Sequence, residues 1–215
     1  MKTIYIVGGD GFARESYLLL SFSIQENSEL KFGGFLGHGG YGKSVDYKSY
    51  QHLYQGEVSE HHFKEDEYVV IGAAYPKLRK KIYNELKNRG VKFYTLVSKG
   101  TYIPPTVELG EACTICYGSV FTTDIKIGIG NVFNGQTIVG HDCQIGDFNF
   151  FGPRCQILGN ATIGDSNQIG ANAILLPKAK IGNNNIIAPL SAIYKGCKNN
   201  CYMNGNPALK TGSVE

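Results

Sequence analysis

The sequence predicts two architectures in one chain. A small α/β domain spans residues 1–97, an all-β parallel β-helix of hexapeptide repeats spans 98–194, and a tail over 195–215 closes its end. Three observations predict this. The first hundred residues alternate short apolar runs with stretches of helical period, the pattern of a parallel sheet with crossover helices. From Ile103 onward a period of six replaces that pattern. A glycine-rich turn joins the first apolar run to the first helical stretch.

In KTIYIV, Ile4, Ile6 and Val7 make a buried strand. Gly8, Gly9 and Gly11 follow as a tight turn. Ala13 to about Ile24 reads as a helix with Leu18 and Leu19 inward. This unit is Rossmann-like, since such a turn aims backbone N–H groups at an anion on the helix N-terminus. A dinucleotide fingerprint is incomplete: Gly9-x-Gly11-x-x-Arg14 lacks the third glycine, and no acidic residue closes a second strand in GGFLGHGG. YVVIGAA (68–74) is a second buried strand. PKLRKKIYNELKNRG (76–90) is a helix with Pro76 in its first turn, Leu78, Ile82 and Leu86 recurring every four residues, and Gly90 at its end. Its Lys77, Arg79, Lys80 and Lys81 read as a solvated face. VKFYTLV (91–97) is a third strand.

Every sixth residue from Ile103 to Ile193 is Ile, Leu, Val or Phe, and glycine follows it at 110, 128, 140, 146, 152, 164, 170 and 182. The position two before it is mostly small. A large aliphatic residue fills the interior of a triangular coil, and the small one lets the chain turn its corner. Short strands then stack in parallel at ~4.8 Å. Three sixes make a coil, and the unbroken phase predicts a prism of just over five coils without an inserted loop.

Composition narrows the function. The net charge of +3 suits an anionic small molecule and is too scattered for nucleic acid. No apolar run reaches the ~18 residues of a transmembrane helix. The opening MKTIYIVGGDGF, with Glu15 close behind, is no signal peptide, so the expectation is a cytoplasmic protein with reduced cysteines. Cys113-x-x-Cys116 and Cys197-x-x-x-Cys201 suggest zinc at first sight. Cys113, Cys143 and Cys155 fall in the small corner phase, however, and packing explains them; no metal is expected. Cys143 should point into its corner, which makes it a poor nucleophile.

His141, in VGHDCQIG, is the only histidine of the repeat and lies on the outward side of a corner. Here the chain resembles the sugar O-/N-acyltransferases, typified by bacterial sialic acid O-acetyltransferases and N-acetyltransferases of nucleotide-linked amino sugars. IYIVGGDGFARE, GFLG, AAYPKLRKKI and NGNPAL match in order, and NGQTIVGHDCQIG (134–146) is the most specific stretch. The resemblance implies a left-handed prism, a homotrimer, and acetyl-CoA in a groove between neighbouring prisms. It also implies a nucleotide-linked sugar on the N-terminal domain, with Gly9, Gly11, Phe12, Arg14 and Gly72 as candidate contacts.

The family's histidine maps onto His141, a general base that takes the acceptor's proton; imidazole exchanges protons near neutral pH. The family's asparagine maps onto Asn134, and a backbone N–H one coil beyond the histidine stabilises the oxyanion. Eighteen residues on from His141 stands Gly159, one strand spacing away, so a thioester carbonyl could bridge the two. Two departures stand out. The glutamate that some members place before the histidine is Gly140 here, leaving Asp142 to orient the imidazole. A second histidine of some members is Phe150 here, so that polar contact is missing or Asn149, which sits in the corner phase, replaces it. For the coenzyme, Gly159, Lys178, Lys195, Asn206 and Pro207 are candidates, with Lys180 and Lys198 beside them. The function expected is acetyl transfer from acetyl-CoA to the amino group of a nucleotide-linked amino sugar in surface glycan synthesis. The alternatives are a sugar O-acetyltransferase and a non-catalytic trimeric scaffold.

Overall fold

The computed structural model describes residues 1–39 and 48–214. It opens with a five-stranded parallel sheet in the order β3-β2-β1-β4-β5, where β1 is Lys2–Val7, β2 Leu30–Gly37, β3 Tyr54–Glu57, β4 Glu67–Ile71 and β5 Lys92–Phe93. Helix α1 (Gly11–Glu26) crosses from β1 to β2, and α2 (Pro76–Asn88) from β4 to β5. The likeness to a Rossmann domain is loose, a small parallel sheet with two helical crossovers. Strand order reverses between β1 and β4. Gly8 is forced there: at φ +140°, a Cβ would stand 2.8 Å from the Gly72 carbonyl oxygen.

Two local expectations change. Leu19 and Leu20 are the inward residues of α1, whereas Leu18 is 52% exposed. The stretch read as one strand over 91–97 is two: β5 ends the α/β sheet, and Leu96–Val97 already pairs with Thr114–Ile115 as the first rung of the prism.

The prism has three parallel faces, with each strand pairing to the one 18 residues on. Ile138–Val139, for example, lies between Val120–Phe121 and Gln156–Ile157. Parallel strands and hexapeptide repeats fit the left-handed β-helix. The sixfold aliphatic positions form its core, with Phe121, Phe133, Phe151, Ile157 and Ile169 all nearly withdrawn from water. The outward residues distinguish the faces. One carries Glu108, Lys126, Gln144, Thr162 and Lys180 and is polar. A second packs Leu96, Val132 and Phe150 against α1 and its sheet. The third presents Val120, 49% exposed, and Ile138, 39% exposed, with exposed Gln156 and half-buried Ile174 beyond them.

The corners carry a regularity the sequence hides. Every sixth residue from Ala112 to Leu190 has φ between 56° and 70° or close to it, twelve non-glycine residues and two glycines. Asp142, Phe148, Arg154, Lys178 and Leu190 are among them, and most such residues disfavour this left-handed region on their own. Repeated turns with i to i+3 bonds, such as Thr137 N–H to the Asn134 carbonyl (3.2 Å), hold the chain there. Inside the corner between the polar and the docked face runs a ladder of buried amides. Asn149, Asn167 and Asn185 each donate both backbone N–H and Nδ2 to the side-chain oxygen of the asparagine one coil earlier, at 2.9 to 3.1 Å.

The end of the prism tightens. Ile186–Ile187 pairs with Tyr202–Met203, sixteen residues on rather than eighteen. The chain then turns back as an antiparallel hairpin, Cys201–Gly205 against Ala208–Ser213, which covers the open end.

Candidate active site between two corners of the prism

His141 stands at the corner between the apolar and the polar face. Asp142 follows in the left-handed conformation at φ 58°, and this places its carboxylate beside the ring. Oδ2 of Asp142 lies 2.7 Å from Nδ1 of His141. A carboxylate oxygen accepts, so Nδ1 carries the proton of this contact, and Nε2 is the ring nitrogen turned toward Gly159. Both side chains are more than half exposed.

One coil on, Gly159 lies directly against the ring: a Cβ built there would be 2.6 Å from Nε2 of His141. Gly140 is constrained by the same contact, since its Cβ would stand 2.8 Å from the Gly159 nitrogen. A side chain at 140 would therefore meet the Gly159 backbone that lies against the His141 ring. Among the described residues none accepts the N–H of His141 or Gly159, although their carbonyls accept from Asn160 (2.8 Å) and Lys178 (3.0 Å). An imidazole thus stands beside a backbone N–H that no described residue accepts, groups of the kind that acyl transfer uses.

The same corner continues toward the prism end through Lys178 and Lys195, both exposed. Tyr194 ends this edge, and its hydroxyl donates to Oδ1 of Asn206 (3.4 Å), which brings the tail hairpin, with Pro207, to it. The candidates for the coenzyme thus share one edge. Lys180 is on the polar face and Lys198 at a different corner.

Asn134 lies elsewhere. It opens the corner between the docked and the apolar face, where its Oδ1 accepts the Gly135 N–H (2.7 Å). It lines a cavity of about 890 Å³ between that corner and α1, together with Glu15, Leu18, Phe22, Tyr117 and Arg154. Within one chain His141 does not line this cavity. Glu15, Lys99 and Arg154, which the sequence does not single out, carry its charge, and burial raises the Glu15 carboxyl above its ordinary range.

The N-terminal candidates meet at the sheet's switch point. Asp10 caps α1 there, its Oδ1 accepting from the N–H groups of Phe12 (2.9 Å) and Ala13 (3.4 Å). A phosphate at that helix end would compete with a carboxylate already in place. Gly72 is a packing glycine, its Cβ direction filled by Ile6 and Ala13 at 2.7 and 2.9 Å.

Three sequence expectations are decided by packing. Asn149 is 1% exposed and committed to the amide ladder, so it does not replace the missing histidine. Phe150 packs in the apolar contact with the α/β sheet. Cys143 is fully buried, its thiol donating to the Leu158 carbonyl (3.4 Å) and its pKa raised by burial. Burial also pushes Cys113 up to about 11 and Cys155 up to about 12. Among the described residues no three His, Cys, Asp or Glu side chains form a metal-binding group, and no helix is long and apolar enough to cross a membrane.

Comparison with known proteins agrees with this architecture. Residues 142–177 and 160–195 match the bacterial transferase hexapeptide (six repeats) family. A search of curated proteins gives no match. Among solved structures, WeeI from Acinetobacter baumannii AYE is 25% identical, with a TM-score of 0.85 over 98% of this chain and 100% of that one. A histidine-to-asparagine variant of perosamine N-acetyltransferase from Caulobacter crescentus, in complex with CoA and GDP-perosamine, is 18% identical with a TM-score of 0.83, covering 99% of this chain and 98% of that one. The acetyltransferase domain of PglB from Neisseria gonorrhoeae FA1090, in complex with acetyl coenzyme A, is 17% identical with a TM-score of 0.81, covering 97% and 98%. The resemblance first read from NGQTIVGHDCQIG therefore extends, as fold, over nearly the full chain.

Proposed function

We propose that the chain is an acetyl-CoA-dependent acetyltransferase acting on the amino group of a nucleotide-linked sugar, in glycan synthesis, and that it works as a homotrimer. The observation that carries this is His141, held by Asp142 through Nδ1, with its ring against Gly159 and the unused Gly159 N–H. Nε2 takes the proton of the attacking amine, and the Gly159 N–H receives the charge that develops on the thioester oxygen. CoA thiol leaves, with no acyl-enzyme. Similar structures hold CoA with GDP-perosamine, or acetyl coenzyme A, which favours an amino over a hydroxyl acceptor. The edge from His141 through Lys178 and Lys195 to Asn206 is the groove assigned to the coenzyme. The switch point at Gly9, Gly11, Phe12, Arg14 and Gly72 is assigned to the nucleotide sugar, with its phosphates clear of the α1 N-terminus that Asp10 caps, at the place where open α/β sheets bind ligands.

The faces support the trimer. Exposed Val120 and Ile138 and half-buried Ile174, with only Gln156 among them polar, make the third face largely apolar, and a face of this kind suits a partner. When three prisms turn it toward a common axis, the two corners that flank it meet between neighbours. The His141 corner of one subunit then faces the Asn134 cavity of the next. The catalytic set that one chain keeps apart becomes a single site, and the protein stays cytoplasmic and free of nucleic acid and membrane.

The test is thiol release from acetyl-CoA with nucleotide-linked amino sugars, GDP-perosamine among them, and the matching hydroxyl sugars. Wild type is expected to turn over an amino sugar, and His141→Ala to lose ~10²–10⁴-fold in kcat/KM. Absence of acetyl-CoA binding by the wild type sinks the reading.

A further inference from the structure

Among the described residues Arg79 is the largest side chain that the fold withdraws from water, at 1% exposed. Its neighbours Lys77, Lys80 and Lys81 suggested a solvated surface, and Arg79 is the exception. All five of its N–H groups are used. Nε donates to the Gly130 carbonyl (2.7 Å). One terminal nitrogen donates to the carbonyls of Ile71 (2.6 Å) and Ala73 (2.9 Å), and the other to the Ala112 carbonyl (2.6 Å) and the Thr114 hydroxyl (3.0 Å). Every acceptor is neutral. Burial without a carboxylate partner lowers its pKa to about 10.

A clamp that merely held two units together would not require a charge, since apolar residues of similar volume often replace buried ions without loss. A guanidinium adds a rigid planar fork that fixes the direction of each acceptor. The acceptors here belong to two places. Ile71 and Ala73 bracket Gly72 at the switch point of the sheet. Ala112 and Gly130 are left-handed corner residues of successive coils, at φ 59° and 67°. Gly130 lies eleven residues before His141, within the same turn of the prism.

We propose that Arg79 is a positioning residue. It locks the 71–75 loop to the first two coils, so that an acceptor held at the switch point stands at a fixed height along the prism. This rests on the acetyl-transfer reading above. A slip of one coil would move the acceptor by ~5 Å, as far as His141 stands from the strand that carries Gly159.

Arg79→Met keeps volume and removes the fork; Arg79→Lys keeps the charge. The expected result for both is a KM for the acceptor, probed with GDP-perosamine or whichever nucleotide-linked amino sugar wild type turns over, raised at least ~10-fold, with acetyl-CoA affinity within ~2-fold of wild type. Equal losses for both substrates, in proportion to the folded fraction, would overturn the proposal. Thr114→Val, which removes one acceptor and little else, gives a second measure should the arginine variants fail to fold; an acceptor KM up ~2–3-fold is expected, and no change counts against it. Hydrogen exchange without substrate separates this idea from the function it rests on. Faster exchange of the 71–75 amides in Thr114→Val, with the 138–145 coil unchanged, supports the lock even if wild type acetylates nothing. Unchanged exchange at 71–75 refutes it.

Discussion

Two corners of the same prism have the same backbone turn and opposite fates. At the corner between the polar and the docked face, each coil satisfies the one before it: Ile129 N–H donates to Asp147 Oδ1 (2.9 Å), Asp147 N–H to Asp165 Oδ1 (2.8 Å), Asp165 N–H to Asn183 Oδ1 (2.7 Å) and Asn183 N–H to Asn199 Oδ1 (2.7 Å). At the His141 corner that chain of bonds is missing. His141 and Gly159 stand where the carboxylates and amides would, and their N–H groups are unused among the described residues. The repeat pairs these donors with its own side chains at one corner and leaves them to solvent at the other, where the proposed reaction would use them.

The largest effect should come from breaking the closed corner at its buried layer. Asn167→Leu removes an oxygen that accepts from both Asn185 N–H (2.9 Å) and Asn185 Nδ2 (3.0 Å), and an amide that donates to Asn149 (2.9 Å). Orphaned buried donors cost about 1–3 kcal/mol each, so a loss of roughly 3 kcal/mol is expected. For a chain of this size that lowers Tm by about 10 °C. Activity per folded molecule should stay at the wild-type level, because the ladder does not reach the His141 corner. A variant that melts normally would show that the ladder is not what holds the coils in phase.

The closed corner was partly legible in the sequence, and the open one was legible through its exception. Ile-Gly-Asp at 145–147 and 163–165, and Ile-Gly-Asn at 181–183, repeat because each glycine faces the ladder oxygen of the next coil, which occupies the place of its Cβ. The sixfold core was legible because shape alone sets it. The left-handed turn was not, since arginine, phenylalanine and leucine at 154, 148 and 190 are poor formers of it and only coil-to-coil bonds impose it. Arg79 was misread as surface because a basic run looks solvated. The stripe that faces inward includes Arg79, Ile82, Tyr83 and Leu86, with Leu78 packed partly buried beside it, so the apolar period found the face but not the arginine on it. The separation of Asn134 from His141 could not be read from a spacing of seven. It depends on two turns falling at different corners.

A sharper test lies at the open corner itself. Gly159→Ala puts a methyl at the place where a Cβ would stand 2.6 Å from Nε2 of His141 and 2.7 Å from Cε1. The ring must rotate away from the free N–H, breaking the geometry on which acyl transfer depends. A loss of roughly 10–10²-fold in kcat, about 1.4–2.7 kcal/mol of barrier, is expected, with Tm nearly unchanged because the ring is exposed and has room to move. Equal loss of Tm and kcat would mean that Gly159 is there for the coil and not for the reaction.

The smallest effect should be the mirror of that one. Asp165→Ala at the closed corner removes the acceptor of the Asp147 N–H, and this site is near enough to the surface for water to replace the bond. A net hydrogen bond is worth about 1 kcal/mol, so Tm should fall by only about 2–4 °C, with kcat and both KM values at wild type. The pair of substitutions, methyl for hydrogen at one corner and methyl for carboxylate at the other, then gives opposite signatures on one scaffold: activity without stability at Gly159, stability without activity at Asp165. Should Asp165→Ala lose activity as Gly159→Ala does, the two corners would be coupled through the coil, and the division of labour between them would fail.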